Sequence, residues 1–282
     1  MSPLSGLKTI VVAADLQGQA EAALEYARKL ATAYGARIIL AHGLDPIDYA
    51  AVDQIPAPVL DHLNSKARSV LDKLCADMLQ EGIHSHSEIR QGAVAMMLID
   101  VVRQYQASLL VIGTEGREGA GPVVVGAIAE KLVRLAPCPV LAVAADWNAG
   151  PNRPTPGGPV LLAIERNAAS PAAASAASSL AETFNRPLFI VHSRTAAEAA
   201  APAMANPARI EDYGVHPRRG LLIQEIVKDG DPVDAVEQAI EQVHPCVLVV
   251  GAKRASGTPG PHGTTFALMA RSRVPVLCVP PE

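Results

Sequence analysis

Short apolar runs alternate along the chain with longer stretches of helical period. TIVVAA (9–14) is continuously apolar, as a strand buried on both faces would be. Residues 18–34 follow with Ala20, Ala23, Leu24, Ala27, Ala31 and Tyr34 at helical spacing, and Gly35 is a helix stop. RIILAH (37–42) predicts a second strand. Residues 57–81 place Leu60, Leu63, Ala67, Val70, Leu71, Leu74 and Met78 on one helical face, which Gly82 ends. HSHSEIR (84–90) alternates weakly and predicts a strand near a sheet edge. A helix over 93–106, the strand LLVIG (109–113), a helix over 126–135 and the strand PVLAVA (139–144) complete the series.

The series then recurs. VVAAD (11–15) matches LLAIE (161–165), and IILAH (38–42) matches LFIVH (188–192), both offset by 150 residues. LLVIG (109–113) matches VLVVG (247–251) at an offset of 138, and PVLAV (139–143) matches PVLCV (275–279) at 136. Ser170-Pro171 and Asp231-Pro232 are N-caps followed by an N1 proline. Pro202, Pro207 and Pro217 break what would be the second helix of the second copy, residues 196–218. Between the copies, WNAGPNRPTPGGP (147–159) can continue neither helix nor strand. Two domains are therefore expected, at 1–146 and 159–282. Alternating strands and helices predict an α/β fold with a parallel sheet and right-handed crossovers in each.

Composition narrows the class. Hydrophobic residues make up 49% and aromatics 3%, so the core must be aliphatic. The formal net charge of −4 gives no general basic surface for nucleic acid or an anionic membrane. No apolar run reaches the roughly 20 residues of a membrane span. The opening MSPLSGLKTIVVAAD carries Lys8 inside a strand-like run and is not patterned as a signal peptide. Cys75, Cys138, Cys246 and Cys278 are scattered, without a metal-type pair, and are expected to be buried reduced thiols in a cytoplasmic protein.

The chemistry concentrates in VIGTEGREGAGPVVVGAIAE (111–130). Gly113 and Gly116 shape a loop after a strand, and Gly126 opens a helix, whose first N–H groups favour an anion. Such glycines allow close approach and positive φ where a turn needs it. Arg117 could add a cation, and Asp15 could accept from ribose hydroxyls or an adenine amino group. As a bare pattern, three glycines fit a surface turn equally well.

The run VIGTEGREG…GAIAEKLVRLAPCPVLAV, with VVAAD before it and ILAH between, resembles a universal stress protein domain. The likeness covers nearly all of each copy. ATP-binding members of that family carry G-x-x-G, nine residues, then G and Ser or Thr. Here Gly113, Gly116, residues 117–125 and Gly126-Ala127 match that spacing. The resemblance implies two Rossmann-like domains, each a five-stranded parallel sheet flanked by helices, paired through their last strands as an intramolecular pseudo-dimer. It implies an ATP or AMP site lined by Ala13, Ala14, Asp15, Gly43, Ile112, Gly113, Gly116, Arg117, Gly126, Ala127 and Ile128. Magnesium would enter only as the nucleotide's counter-ion. One departure is Ala127, which lacks the hydroxyl that meets phosphate in binding members. The second copy departs further: Glu165 stands for Asp15, Arg254 replaces the second glycine, the loop to Gly263 is one residue shorter, and Pro259 and Pro261 remove donors. Thr264 restores the hydroxyl.

Other candidates are weaker. His42 and His192 are equivalent and read as packed histidines or as lining of the crevice. His84 and His86 would share a strand face, with no acidic or cysteine partner evident for a metal. Glu21 and Glu25 read as a solvated helix face, and Ser65 lacks a nucleophile-elbow context. No catalytic residue is expected. The leading reading is a nucleotide-binding stress-response module, and the alternative is a nucleotide-free scaffold. A related ATP pyrophosphatase would need S-G-G-x-D-S after the first strand, where this chain has AADLQGQ.

Overall fold

The computed structural model describes residues 4, 6–15, 20–44, 57–114, 125–147, 157–164, 170–194, 220–252 and 263–281. The first repeat runs β1 (Thr9–Ala13), α1 (Glu21–Tyr34), β2 (Arg37–Leu44), α2 (Ala57–Gln80), β3 (Ser85–Gln91), α3 (Val94–Gln104), β4 (Leu109–Thr114), α4 (Ala127–Leu135) and β5 (Val140–Ala144). The second runs β6 (Val160–Ala163), α5 (Pro171–Phe184), β7 (Leu188–Arg194), β8 (Ile223–Asp229), α6 (Pro232–Val243), β9 (Val247–Gly251), α7 (Thr264–Arg271) and β10 (Val276–Val279). The prolines of 196–218 lie outside the described residues.

All ten strands join one sheet, in the order β3-β2-β1-β4-β5-β10-β9-β6-β7-β8. Every pairing is parallel except β5 with β10. The offsets seen in the sequence are also the offsets of register. Ile10 faces Ile38 and Leu109, and Val160 faces Leu188 and Val247. Leu110 faces Val140 as Leu248 faces Val276.

The antiparallel joint is symmetric. Leu141 faces Leu277, Val140 faces Cys278 and Ala142 faces Val276, so a pseudo-twofold axis passes through the leucine pair. Away from the sheet, Tyr34 meets its equivalent Phe184 edge to face, with centroids 6.3 Å apart.

Alternation along each strand sends side chains to two cores. Ile10 and Val12 join α1, α2 and α5 on one side, while Val11 joins α3, α4, α6 and α7 on the other. Each core contains side chains of both repeats, so neither repeat closes its apolar surface alone.

Several boundaries differ from expectation. The helix expected from residue 18 begins, among the described residues, at Glu21, after Ala20, whose N–H donates to Asp15. The helix expected over 93–106 spans 94–104, and Gln106 takes the left-handed φ of 48° that turns the chain into β4. Val70, expected on the buried face of α2, is 40% exposed. That helix lies over the outer strand β3, which covers only the narrow stripe Ala67, Leu71 and Met78. The proline- and glycine-rich segment was expected to open at Trp147, but Trp147 is buried, 5.5 Å edge to face from Tyr26. The helix stops hold: Gly35 has φ 62° and Gly82 φ 80°. The two N-caps hold as well. Ser170 Oγ accepts from Ala173 N–H at 3.3 Å, and Asp231 Oδ1 from Val233 N–H at 2.8 Å.

The four cysteines are free. Cys138 and Cys278 are buried as expected, whereas Cys75, in α2, and Cys246, just before β9, are only half-buried. Burial pushes the Cys138 and Cys278 thiols up to about 12 and Cys246 to about 11. Among the described residues no helix is long and apolar enough to cross a membrane.

Candidate functional site

The strand order reverses between β1 and β4: the chain moves outward from β1 through β2 to β3, then returns to place β4 on the other flank of β1. Splayed connections at such a point leave a crevice beyond the carboxyl ends of the strands. Asp15 follows β1 and Gly113 lies at the end of β4, so the crevice lies between them. The same edge carries Ala13, Ala14 and Gly43. It also carries the start of α4, with Gly126 as N-cap and Ala127 and Ile128 as its first residues. Gly116 and Arg117 lie outside the described residues.

The end of β1 is braced. Ala14 N–H donates to the Ala41 carbonyl at 2.9 Å, and His42 Nδ1 donates to the Ala14 carbonyl at 2.7 Å. His42 is thus a packed, hydrogen-bonded histidine that holds the backbone before Asp15. Asp15 itself is half-buried, and its Oδ1 accepts the Ala20 N–H at 3.0 Å, ahead of α1. The carboxylate therefore has a structural task as well as a place in the crevice.

The glycines differ in what they need. A Cβ on Gly43 would lie 2.9 Å from Met97 Cε and 3.1 Å from Val94 Cγ2, so packing of α3 on β2 already accounts for that glycine. Gly126 has φ −59° and ψ 147°, which any residue adopts, and a Cβ there would meet nothing within 4 Å among the described residues. Positive φ is therefore not its reason. Its counterpart Gly263 has φ 132°, where a side chain is strained. The first repeat thus keeps a glycine at a helix N-terminus that neither its backbone angles nor packing among the described residues requires. Ile112 is 3% exposed and belongs to the core, so only its backbone reaches the crevice. Ile128 is 49% exposed beside Gly126.

The equivalent edge of the second repeat is built otherwise. A Cβ on Gly251 would lie 2.9 Å from Ser170 Cβ, so the N-cap of α5 fills the space under that glycine. Thr265 Oγ1 donates to the Gly251 carbonyl at 3.1 Å. His192 is buried, with Nδ1 3.3 Å from Glu225 Oε1. Glu165, Arg254, Pro259 and Pro261 lie outside the described residues.

No three His, Cys, Asp or Glu side chains gather as a metal site among the described residues. His84 lies one residue before β3, its carbonyl accepting from Ile38 N–H, and both His84 and His86 are exposed. His86 does have an acidic neighbour, which the sequence did not reveal: its Nε2 lies 3.8 Å from Glu88. His42 agrees with its reading as a packed, hydrogen-bonded histidine, although its partner, the Ala14 carbonyl, was not legible in the pattern. Glu21 and Glu25 are exposed, and Glu25 pairs with Lys29 at 2.7 Å.

Residues 6–144 match the Universal stress protein family. A universal stress protein of Mycolicibacterium smegmatis is 31% identical over 172 residues, 59% of this chain and 57% of that protein. One of Thermus aquaticus is 30% identical over 138 residues, 48% of this chain and 98% of its own length. The crystal structure of a universal stress protein from Archaeoglobus fulgidus superposes with a TM-score of 0.75, covering 97% of this chain and 98% of its own at 16% identity, so the likeness there is of fold. By sequence and by fold, the chain belongs to the universal stress protein family.

Proposed function

We propose that the chain binds one adenine nucleotide, ATP or AMP, in the crevice of its first repeat. In this reading it acts in a stress response as a regulatory or sensing module, not as a dedicated enzyme. The observation that supports this most is Gly126, an N-cap glycine with ordinary backbone angles and open space where its Cβ would be. It stands at the strand-order reversal, on the edge that also carries Asp15 and Gly113. A phosphate would receive the first N–H groups of α4, and the ribose or adenine would lie toward Asp15. Ala127, Ile128 and the backbone of Ala13, Ala14 and Ile112 would complete the lining, with Gly116 and Arg117 supplied by the loop. The reading divides the chain into domains at 1–146 and 159–282 in the cytoplasm, the second serving as structural partner. Calorimetric titration with ATP, ADP and AMP tests it. Heat corresponding to one site per chain is expected; no heat, and no displacement of a fluorescent analogue at millimolar concentration, would overturn it.

A nucleotide-free scaffold is the second reading. Two observations favour it: Asp15 already accepts the Ala20 N–H, and Ala127 offers no hydroxyl. Mass spectrometry of small molecules released when the purified protein is denatured separates the two.

A further inference from the structure

The opposite edge of the first repeat carries a second concave surface. It lies at the amino ends of β1 and β2, where the last turns of α1, α2 and α3 also arrive. This basin has a volume of about 730 Å³, within the roughly 300–1,000 Å³ of small-molecule sites. Lys8, Arg37, His84 and Tyr105 line it, around the apolar surface of Ala36 and Ile83.

The Arg37 side chain is held in place by its neighbours. Arg37 Nε donates to the buried Thr9 Oγ1 at 2.9 Å, and the guanidinium lies 5.9 Å from the Tyr105 ring centroid. The backbones beneath are tied: Arg37 N–H donates to the Lys8 carbonyl at 3.0 Å and Ile38 N–H to the His84 carbonyl at 2.9 Å. Neither Lys8 nor the terminal nitrogens of Arg37 meet a carboxylate among the described residues. Glu81, on the rim, is engaged by Arg28 at 2.5 Å. A positive basin therefore stands on a chain of net charge −4.

The second repeat serves as an internal control. Lys8, Arg37, His84 and Tyr105 correspond to Gly158, Pro187, Leu222 and Val243, at the offsets that also fix strand register. The second repeat makes the same strands without these four side chains, so the fold does not require them. Cations do complement helix carboxyl ends. Among the described residues, the arginine that the second repeat keeps there is Arg186, which stands at the place of Ala36 and turns toward Gly157 instead.

We propose that this basin binds a small organic dianion, a phosphate monoester with an apolar or aromatic body. Two unneutralised cations match the two charges. The guanidinium offers a fork of donors to phosphate oxygens and Lys8 a point charge, while Tyr105 faces the body. The inference does not rest on the nucleotide reading, because the two sites lie at opposite ends of the strands.

Phenyl phosphate is the probe, titrated into the ¹⁵N-labelled full chain. Amide shifts are expected at Lys8, Arg37, His84 and Gln106. In the double variant Lys8→Gly, Arg37→Gln the affinity should fall at least about tenfold, the loss of a charge-assisted contact, with the melting midpoint retained. If that variant melts early, Lys8→Gly alone carries the comparison, since the second repeat accommodates glycine at 158. Benzoate, with one charge, should bind several-fold more weakly. No shift, equal affinity in wild type and variant, or shifts centred on Gly126 would overturn the site, and equal binding of benzoate would overturn the dianion assignment.

Discussion

Ala127 opens α4 where its second-repeat counterpart is Thr264, so the two repeats differ at this position by a hydroxyl and a methyl. Replacing Ala127 by Ser should add a donor at the helix start, since the residue is exposed and meets no packing constraint. Triphosphate affinity is expected to rise by up to about 1.5 kcal/mol, roughly tenfold. Unchanged calorimetric affinity would show that phosphates do not lie at Gly126. The thiols allow a second prediction at this scale. Cys138 and Cys278 have folded values near 12, against an ordinary 9.0. Between those values the unfolded chain sheds thiol protons that the native chain keeps. The stabilisation is therefore complete below about pH 9 and declines as pH climbs toward about 12. The urea midpoint should fall from about pH 8 to about pH 11, and near pH 8 both thiols should react with a disulfide reagent only on unfolding.

Among the elements, α4 distinguishes the two readings of function. Gly126→Ala adds a Cβ where nothing lies within 4 Å and where φ is already −59°. The melting temperature should hold within a few degrees, as expected for a surface exchange within about 0.5 kcal/mol. Nucleotide affinity should nevertheless fall several-fold, because the methyl occupies the approach of the anion. Equal affinity in variant and wild type would make Gly126 an ordinary turn residue. The elements themselves were legible in the sequence because period and register are local or repeated. Continuous apolar strands, glycine stops at Gly35 and Gly82, and the offsets 150, 138 and 136 all reappear in the pairing. Less legible were features set by distant neighbours: the burial of Trp147 on Tyr26, the exposure of Val70 over an outer strand, and the bond from His42 to Ala14. For the candidate site, spacing did not separate Gly43, which packing requires, from Gly126, which packing among the described residues leaves free.

At the level of the whole molecule, the two cores run through the β5–β10 joint without interruption. Residues 1–150 expressed alone would expose β5, an apolar strand with unpaired backbone groups, and invite pairing with another chain. Sedimentation should find that fragment dimeric or aggregated, and a stable monomer at tens of micromolar would show that the repeats do not need each other. Trp147 is the chain's one tryptophan, and its partner Tyr26 donates to the Cys246 carbonyl of the second repeat at 3.1 Å. Its emission therefore reports the same docking.

The leucine pair on the pseudo-twofold axis also bears on how the protein responds to its own abundance. Two separate subunits meeting through such a joint would part on dilution, and any property of the pair would vary with expression level. Here both halves of the joint belong to one polypeptide, which places them at an effective concentration on the order of millimolar. The thermal midpoint should accordingly be the same across a hundredfold range of protein concentration. A handful of copies in a cell would carry the paired form as completely as thousands do.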